Sequence, residues 1–381
     1  MRNFSNMKRI VIKIGSSSLV NKDYSVNEPV LVTIMQQISS LKNAGIDIAI
    51  VTSGAIAVGM HELHLLKKPK EMALKQACAA LGQAKLMEAY NKVAEIYNLK
   101  LGQILLNHDD FQVRKRMLYL SNTLDAMFKN QIVPVINEND ALAVEEIKVG
   151  DNDTLASLIA PMIGADLLVL FSDIDGLYTK NPKIYKDAVM VGEVDKIDSE
   201  ILSMVSGATT SVGTGGMETK IDAALISTMA GVDMIICNSN MLSSLNKIAS
   251  GEEIGTLFKA SSKEISSREH WMIFKANSQG RIVVDNGVLN RLKERKVSIL
   301  PKGIVAVEGE FLSGAILDIV SLDGIILAKG ITNYSSNEIE TILGKTSKEA
   351  EELIGFEAKK GVIYADDMVI LKEGYYGRFV K

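Results

Sequence analysis

The chain has 381 residues, too many for one ordinary domain, and with 47% hydrophobic residues it can bury more than one core. Its 42 basic and 46 acidic residues leave a formal net charge of -4, which argues against a general polyanion binder and for a protein that handles small molecules. Two distant cysteines in apolar surroundings, Cys78 and Cys237, supply neither a disulfide framework nor a zinc cluster and fit a reducing, cytoplasmic setting; no stretch approaches the about 18 apolar residues of a membrane span, and no signal-peptide run opens the chain.

In chain order, Arg9 to Ile14 alternates as a strand entering a sheet and ends beside Lys13, which places that ammonium at the carboxyl edge where open α/β sheets hold ligands. Gly15 and three serines follow as a flexible turn whose amides can approach an anion. Asn27 and Pro29 start a helix with Val30, Ile34, Ile38 and Leu41 on one face, closed by Gly45. Ile46 to Val51 is a second strand, running into Thr52-Ser53-Gly54-Ala55. There Thr52 or Ser53 either caps the next helix or, with the local amides, receives a carboxylate or phosphate.

A long helix is expected from about residue 69 to 97, then a strand over Leu101 to Leu106, a helix near Leu118 to Lys129 and a strand over Gln131 to Ile136. Alternating strands and helices predict a mostly parallel sheet covered on both faces. His61 and His64 lack accompanying ligand types and read as surface or packing residues, and Arg114-Lys115-Arg116 reads as a solvated face. Two Asx-rich turns come close together, Asn137-Glu-Asn-Asp140 after the strand and Gly150-Asp-Asn-Asp153 before an apolar helix, Thr154 to Ile163. Local backbone bonding explains one such turn comfortably and two less well. The functional alternative is that they grip a ligand's amino group and orient cationic side chains.

Asp166 to Phe171 is a fifth strand, very apolar and so buried on both sides, ending in Ser172-Asp-Ile-Asp-Gly-Leu-Tyr178. Residues 206 to 216 form a Gly/Ser/Thr loop feeding a helix that carries Lys220 in its first turns, a construction that offers amides, dipole and a mobile charge to a phosphate chain. The Walker spacing is absent. Lys259 to Ala276, around Trp271, looks like a linking helix, and past Asn277 short strands with glycine turns mark a separate small β-rich domain. The expected division is 1–258, 259–276 and 277–372.

Two lysines, many amides and several carboxylates are the set a phosphoryl-transfer site needs, because the protein mainly positions and neutralises. The motifs Val11-Ile-Lys-Ile-Gly-Ser-Ser17, Val51-Thr-Ser-Gly-Ala-Ile56, Asn137–Asp140, Gly150–Asp153, Ser172–Tyr178 and Thr214-Gly-Gly-Met-Glu-Thr-Lys220 together resemble the glutamate 5-kinase family, in order and spacing. Leu300-Pro-Lys-Gly-Ile304, Val307-Glu-Gly309 and Gly330–Ser336 resemble the PUA domain that many of its members append.

The resemblance implies an amino-acid-kinase fold, an αβα sandwich with a mostly parallel central sheet, followed by a small β-rich PUA-like domain. It implies ATP- and Mg2+-dependent phosphorylation of the side-chain carboxylate of L-glutamate, the first step of proline biosynthesis. By the same resemblance Lys13, Lys220 and Asp153 are catalytic, with Asp153 orienting both lysines. Ser53, Asp140 and Asn152 hold glutamate; Lys13, Ser172, Asp173, Thr214, Gly215, Gly216, Met217, Glu218, Thr219 and Lys220 hold ATP. Proline as feedback inhibitor, a homo-oligomer and coupling to a glutamyl phosphate reductase are further expectations; no membrane or nucleic-acid partner is expected. Kinases of the same fold acting on N-acetylglutamate, aspartate, carbamate or a nucleoside monophosphate are the competing readings, and the PUA resemblance raises RNA binding, which the acidic charge opposes.

Overall fold

The computed structural model describes residues 1–142, 152–182, 184–205, 216–261, 269, 272–273, 278–354 and 361–371. The chain folds as two units, Met1–Glu264 and Ile265–Lys381, and the boundary falls inside the span read as a linking helix. Most of that span, including Trp271, lies outside the described residues.

In the first unit the strands are β1 (Arg9–Ile14), β2 (Asp47–Val51), β3 (Lys100–Leu106), β4 (Ile132–Glu138), β5 (Leu167–Ser172), β6 (Glu193–Val194), β7 (Asp233–Asn238) and β8 (Thr256–Phe258). They form one sheet in the order β3-β4-β2-β1-β5-β7-β8-β6, parallel except where β8 runs against β7. The short β6 and β8 leave no mark in the sequence: two or three residues carry no periodicity. The connection from β1 leads to β2 on one side, while β4 leads to β5 on the other. Right-handed crossovers then put the connecting helices on opposite faces and open a crevice at the end of β1, where the direction reverses.

Alternation along β1 decides what reaches that crevice. Ile10, Ile12 and Ile14 point into a core shared with Leu31, Ile34, Met35 and Ile38 of the Glu28–Asn43 helix and Leu86, Tyr90 and Val93 of the Met72–Ile96 helix. Val11 and Lys13 therefore belong to the other face, which the Asn152–Met162 helix covers with the Met217–Met229 helix packed beside it. Lys13 stands level with Val51 of β2 and Leu170 of β5, in the middle of the sheet.

Three local differences from expectation have physical causes. Ser16–Leu19 is one helical turn rather than a loose loop, and Gly15 before it is ordinary extended backbone (φ -72°, ψ 155°). Arg114–Lys129 is helical four residues earlier than expected; it follows directly on the short His108–Gln112 helix, whose start carries an Asn107–Asp110 capping box, and Arg116 in its first turn pairs with Asp110. Neither Thr52 nor Ser53 caps the Ala55–Glu62 helix: the cap is Gly54 at φ +100°, a left-handed conformation that glycine adopts without strain.

That helix crosses the Met72–Ile96 helix at backbone contact. A methyl group on Gly59 would meet the Cys78 carbonyl, and one on Gly82 would meet the Ala55 carbonyl, both far inside contact distance. Gly82→Ala gains helix propensity, about 1 kcal/mol, yet must separate the two helices. The expected net result is a loss of about 1–3 kcal/mol, the range for overpacked cores, read from urea unfolding.

The second unit has β9 (Gly280–Val284), β10 (Ile304–Glu308), β11 (Ile316–Val320), β12 (Ile326–Thr332) and β13 (Ile363–Ile370), in the order β10-β9-β11-β12-β13. Its core joins Ile282, Leu317, Ile319, Ala328 and Ile363 to Leu292 and Ile339 from helices capped by Asp285 and Ser335. Lys329 and Asp318 face each other across β12 and β11, both buried, and burial lowers the lysine pKa while the carboxylate opposes that shift. No described helix is long and apolar enough to cross a membrane.

Candidate active site

Lys13, Asp153 and Lys220 come from three distant parts of the chain and meet above the carboxyl end of β1. Lys13 Nζ lies 2.6 Å from Asp153 Oδ1, and Lys220 Nζ lies 3.1 Å from Asp153 Oδ2. All three are buried; the Asp153 side chain is 1% exposed. Burial by itself would raise the Asp153 pKa, but the two ammonium groups outweigh it and hold the carboxyl below its ordinary value. Asp153 also sits in the first turn of its helix, where the dipole favours a negative charge. The triad taken alone carries two positive charges and one negative, an arrangement that suits a further anion.

The amino terminus of the Met217–Met229 helix faces the same problem of charge. Gly216 is its cap, extended and without any side-chain cap bond, and Thr219 Oγ1 donates to the Gly216 carbonyl. The first-turn amides of Met217, Glu218 and Thr219 thus start a 13-residue helix as anion donors. Thr214 and Gly215, assigned to the same loop, lie outside the described residues, as do Gly150 and Asp151. Ser172 ends β5, the strand beside β1, and donates to Asp173 Oδ1 at 3.0 Å. Ser172 is buried and Asp173 exposed.

Ser53 and Asn152 are brought together. Asn152 Nδ2 shares its two hydrogens among three acceptors, Ser53 Oγ at 2.8 Å, the Thr52 carbonyl at 2.9 Å and Asn137 Oδ1 at 3.1 Å. Asn152 Oδ1 is buried with no hydrogen-bond partner among the described residues. Such an orphan acceptor is costly unless a ligand donor meets it. Asp140 lines a cavity of about 260 Å³ together with Glu138, Asn139, Gln83, Gln103 and Ala55.

Sequence reasoning missed three carboxamides here. Gln103 carries no local signal, and Asn137 stands out only as part of a motif. Gln83 was detectable: it stands among Ala79, Gly82 and Leu86 on the buried face of its helix, where a polar residue requires partners. The Tyr90 side chain, which is not a carboxamide, also belongs here, its hydroxyl 3.1 Å from Thr52 Oγ1 and its pKa raised by burial. His61 is used locally, with Nδ1 2.9 Å from the Asp23 carbonyl.

Residues 8–238 match the amino acid kinase family, and residues 280–354 match the PUA domain. The chain is 44% identical over 366 residues to the glutamate 5-kinase of Caldanaerobacter subterraneus subsp. tengcongensis, covering 96% of this chain and 98% of that one. It is 44% identical over 367 residues to the glutamate 5-kinase of Carboxydothermus hydrogenoformans, with the same shares of 96% and 98%. The glutamate 5-kinase of Pasteurella multocida is 40% identical over 364 residues, 96% of this chain and 99% of that one. Among solved structures, the carbamate kinase of Giardia lamblia bound to AMP-PNP superposes with a TM-score of 0.50 at 17% identity, over 68% of this chain and 100% of that one, a likeness of fold.

Proposed function

This chain belongs to the amino acid kinase family, and within it to the glutamate 5-kinases; from that premise we propose that the Lys13–Asp153–Lys220 site transfers the γ-phosphoryl group of ATP to the side-chain carboxylate of L-glutamate, the first step of proline biosynthesis. The observation that carries this reading is the meeting of two buried ammonium groups on one carboxylate at the crevice of the sheet.

An oxygen of the glutamate side chain bonds to the terminal phosphorus while the bond from that phosphorus to the bridging oxygen of ADP breaks, and ADP leaves with the electron pair. The acceptor is already ionised near neutrality, so the step needs no general base. It needs relief of repulsion between two anions. Lys13 and Lys220 supply that, and Asp153 keeps both ammonium groups at one place before substrate arrives. The amides of Met217, Glu218 and Thr219 take phosphate oxygens, with Ser172 and Asp173 on the nucleotide side. Alignment of the two reactants is worth up to about 7–11 kcal/mol of barrier.

Among the described residues no group of three or more His, Cys, Asp or Glu converges as a metal cage. Magnesium, entering with the nucleotide, would neutralise phosphate charge.

On the acceptor side, Asn152 Oδ1 and the Asp140 carboxylate suit the substrate ammonium group, and Ser53 completes that side. Asp140→Ala is expected to raise the glutamate KM at least tenfold, the scale of a hydrogen bond to a charged group, and to leave the ATP KM within threefold. Equal rises in both would remove Asp140 from the amino-acid side.

The direct test is glutamate-dependent ADP formation with hydroxylamine trapping of the acyl phosphate. A panel of aspartate, carbamate and N-acetylglutamate should give little turnover; a better acceptor among them overturns the assignment. Catalysis is assigned to residues 1–258. The labile product favours prompt consumption by a reductase in the cytoplasm, and a homo-oligomer is part of the same reading. Proline, which offers the same ammonium and α-carboxylate, is proposed as a competitor of glutamate. Millimolar proline should then raise the glutamate KM, and no rise would exclude such feedback in this chain.

A further inference from the structure

We infer that Gln83 is a positioning residue for the acceptor amino acid: it accepts from a chain of carboxamides whose direction two backbone groups set, holding Asn137 and through it Asn152 in place with Asn152 Oδ1 toward the substrate ammonium group. The inference rests on the acceptor assignment above. The chain runs from Asn152 Nδ2 to Asn137 Oδ1 at 3.1 Å, from Asn137 Nδ2 to Gln83 Oε1 at 2.9 Å, and from Gln83 Nε2 to Gln103 Oε1 at 2.9 Å.

An amide can be turned end for end, so a chain of amides has two possible directions. Two backbone groups choose between them. The Thr52 carbonyl can only accept, so the end of Asn152 facing it at 2.9 Å must be the NH2. The Glu138 N–H can only donate, so the atom of Asn137 that receives it at 2.9 Å must be the oxygen. With both anchors set, Asn137 presents its NH2 to residue 83 and needs an acceptor there. Gln83 supplies it from a site that is 7% exposed, where no bulk water substitutes freely.

If that acceptor is removed, the Asn137 NH2 is left buried without its partner, and turning over would set it against the Glu138 N–H and the Asn152 NH2; Asn137 can regain a partner only by shifting, which loosens its hold on Asn152. Gln83 is held to this task by its neighbour: Gly82 packs against the Ala55 carbonyl without room for a side chain. Gln83, Gln103 and Asp140 line one cavity, so the chain borders the space assigned to the amino acid.

The test compares Gln83→Met, which keeps the length and loses the acceptor, with Gln83→Glu, which keeps an oxygen toward Asn137. Gln103 is exposed and can turn its own amide to meet the new carboxylate. Gln83→Met is expected to raise the glutamate KM at least tenfold with kcat and the ATP KM within threefold, and Gln83→Glu to return the glutamate KM to within threefold of the unsubstituted enzyme. A purely structural role would instead move both KM values, kcat and the melting temperature together, and that outcome overturns the inference. Should Gln83→Met fail to fold, Gln83→Glu decides alone, because a tenfold rise in its glutamate KM with an unchanged ATP KM contradicts the polarity argument. If the unsubstituted enzyme prefers another acceptor, the function assigned above fails by itself, and the same split is then read on that acceptor's KM.

Discussion

Asp153→Ala is expected to abolish measurable phosphoryl transfer and to lower the unfolding free energy by about 3–5 kcal/mol, the cost of removing one partner from a buried ion pair. Lys13 and Lys220 are 7% and 4% exposed and approach the same carboxylate, so its loss sets two buried ammonium groups against each other. The repulsion displaces them from their shared place, and that spoils the site for a phosphate. Asp153→Asn distinguishes charge from shape: its carbonyl oxygen can accept from one lysine, but its NH2 opposes the other. Both variants should lose activity, with Asp153→Asn the less destabilised. A variant that keeps turnover within threefold removes the bridging carboxylate from the catalytic reading.

The same group sets an acid limb. Its pKa is lower in the folded chain than in the unfolded one, where it is about 3.9. Its contribution to stability is therefore fully present above the unfolded value and is lost as pH falls through the folded value. Urea midpoints should be insensitive to this group between pH 5 and 8 and should fall below about pH 4. In Asp153→Asn that part of the acid limb should be missing.

Lys220→Ala and Lys13→Ala are each expected to reduce kcat by about 10²–10³, the scale for removing one oriented donor to a developing charge. Their folding penalty should be smaller than that of Asp153→Ala, because the carboxylate keeps one ammonium partner. Arginine is not expected to rescue either position. Its planar fork is larger than an ammonium and meets the carboxylate and phosphate in a different geometry, within a site where both lysines are already buried. A turnover within threefold of the unsubstituted enzyme for either alanine variant would take that lysine out of the mechanism.

Much of this was legible in one dimension because local rules dominate there. The strand over Arg9–Ile14, the helix begun at Glu28 with Pro29 in its first turn, and the fully buried β5 follow from periodicity and helix-start signals. Other features resisted for equally physical reasons. A one-turn helix such as Ser16–Leu19 has no periodicity to read. The cap at Gly54 depends on a positive φ, which serine or threonine beside it could have made unnecessary.

What the order of residues determined by itself was the inventory: a strand ending at Lys13, an Asx turn leading into the helix that bears Asp153, and a glycine-rich entry to the helix that bears Lys220. What only the tertiary structure decided was their coincidence. The twofold alternation of β1 turns Lys13 to one face, the reversal of strand order at β1 opens the crevice there, and the helices on that face bring Asp153 and Lys220 to it. The carboxamide chain through Gln83 likewise exists only after folding, because hydrogen-bond polarity is imposed by backbone groups 86 residues apart, Thr52 and Glu138, that no local pattern connects.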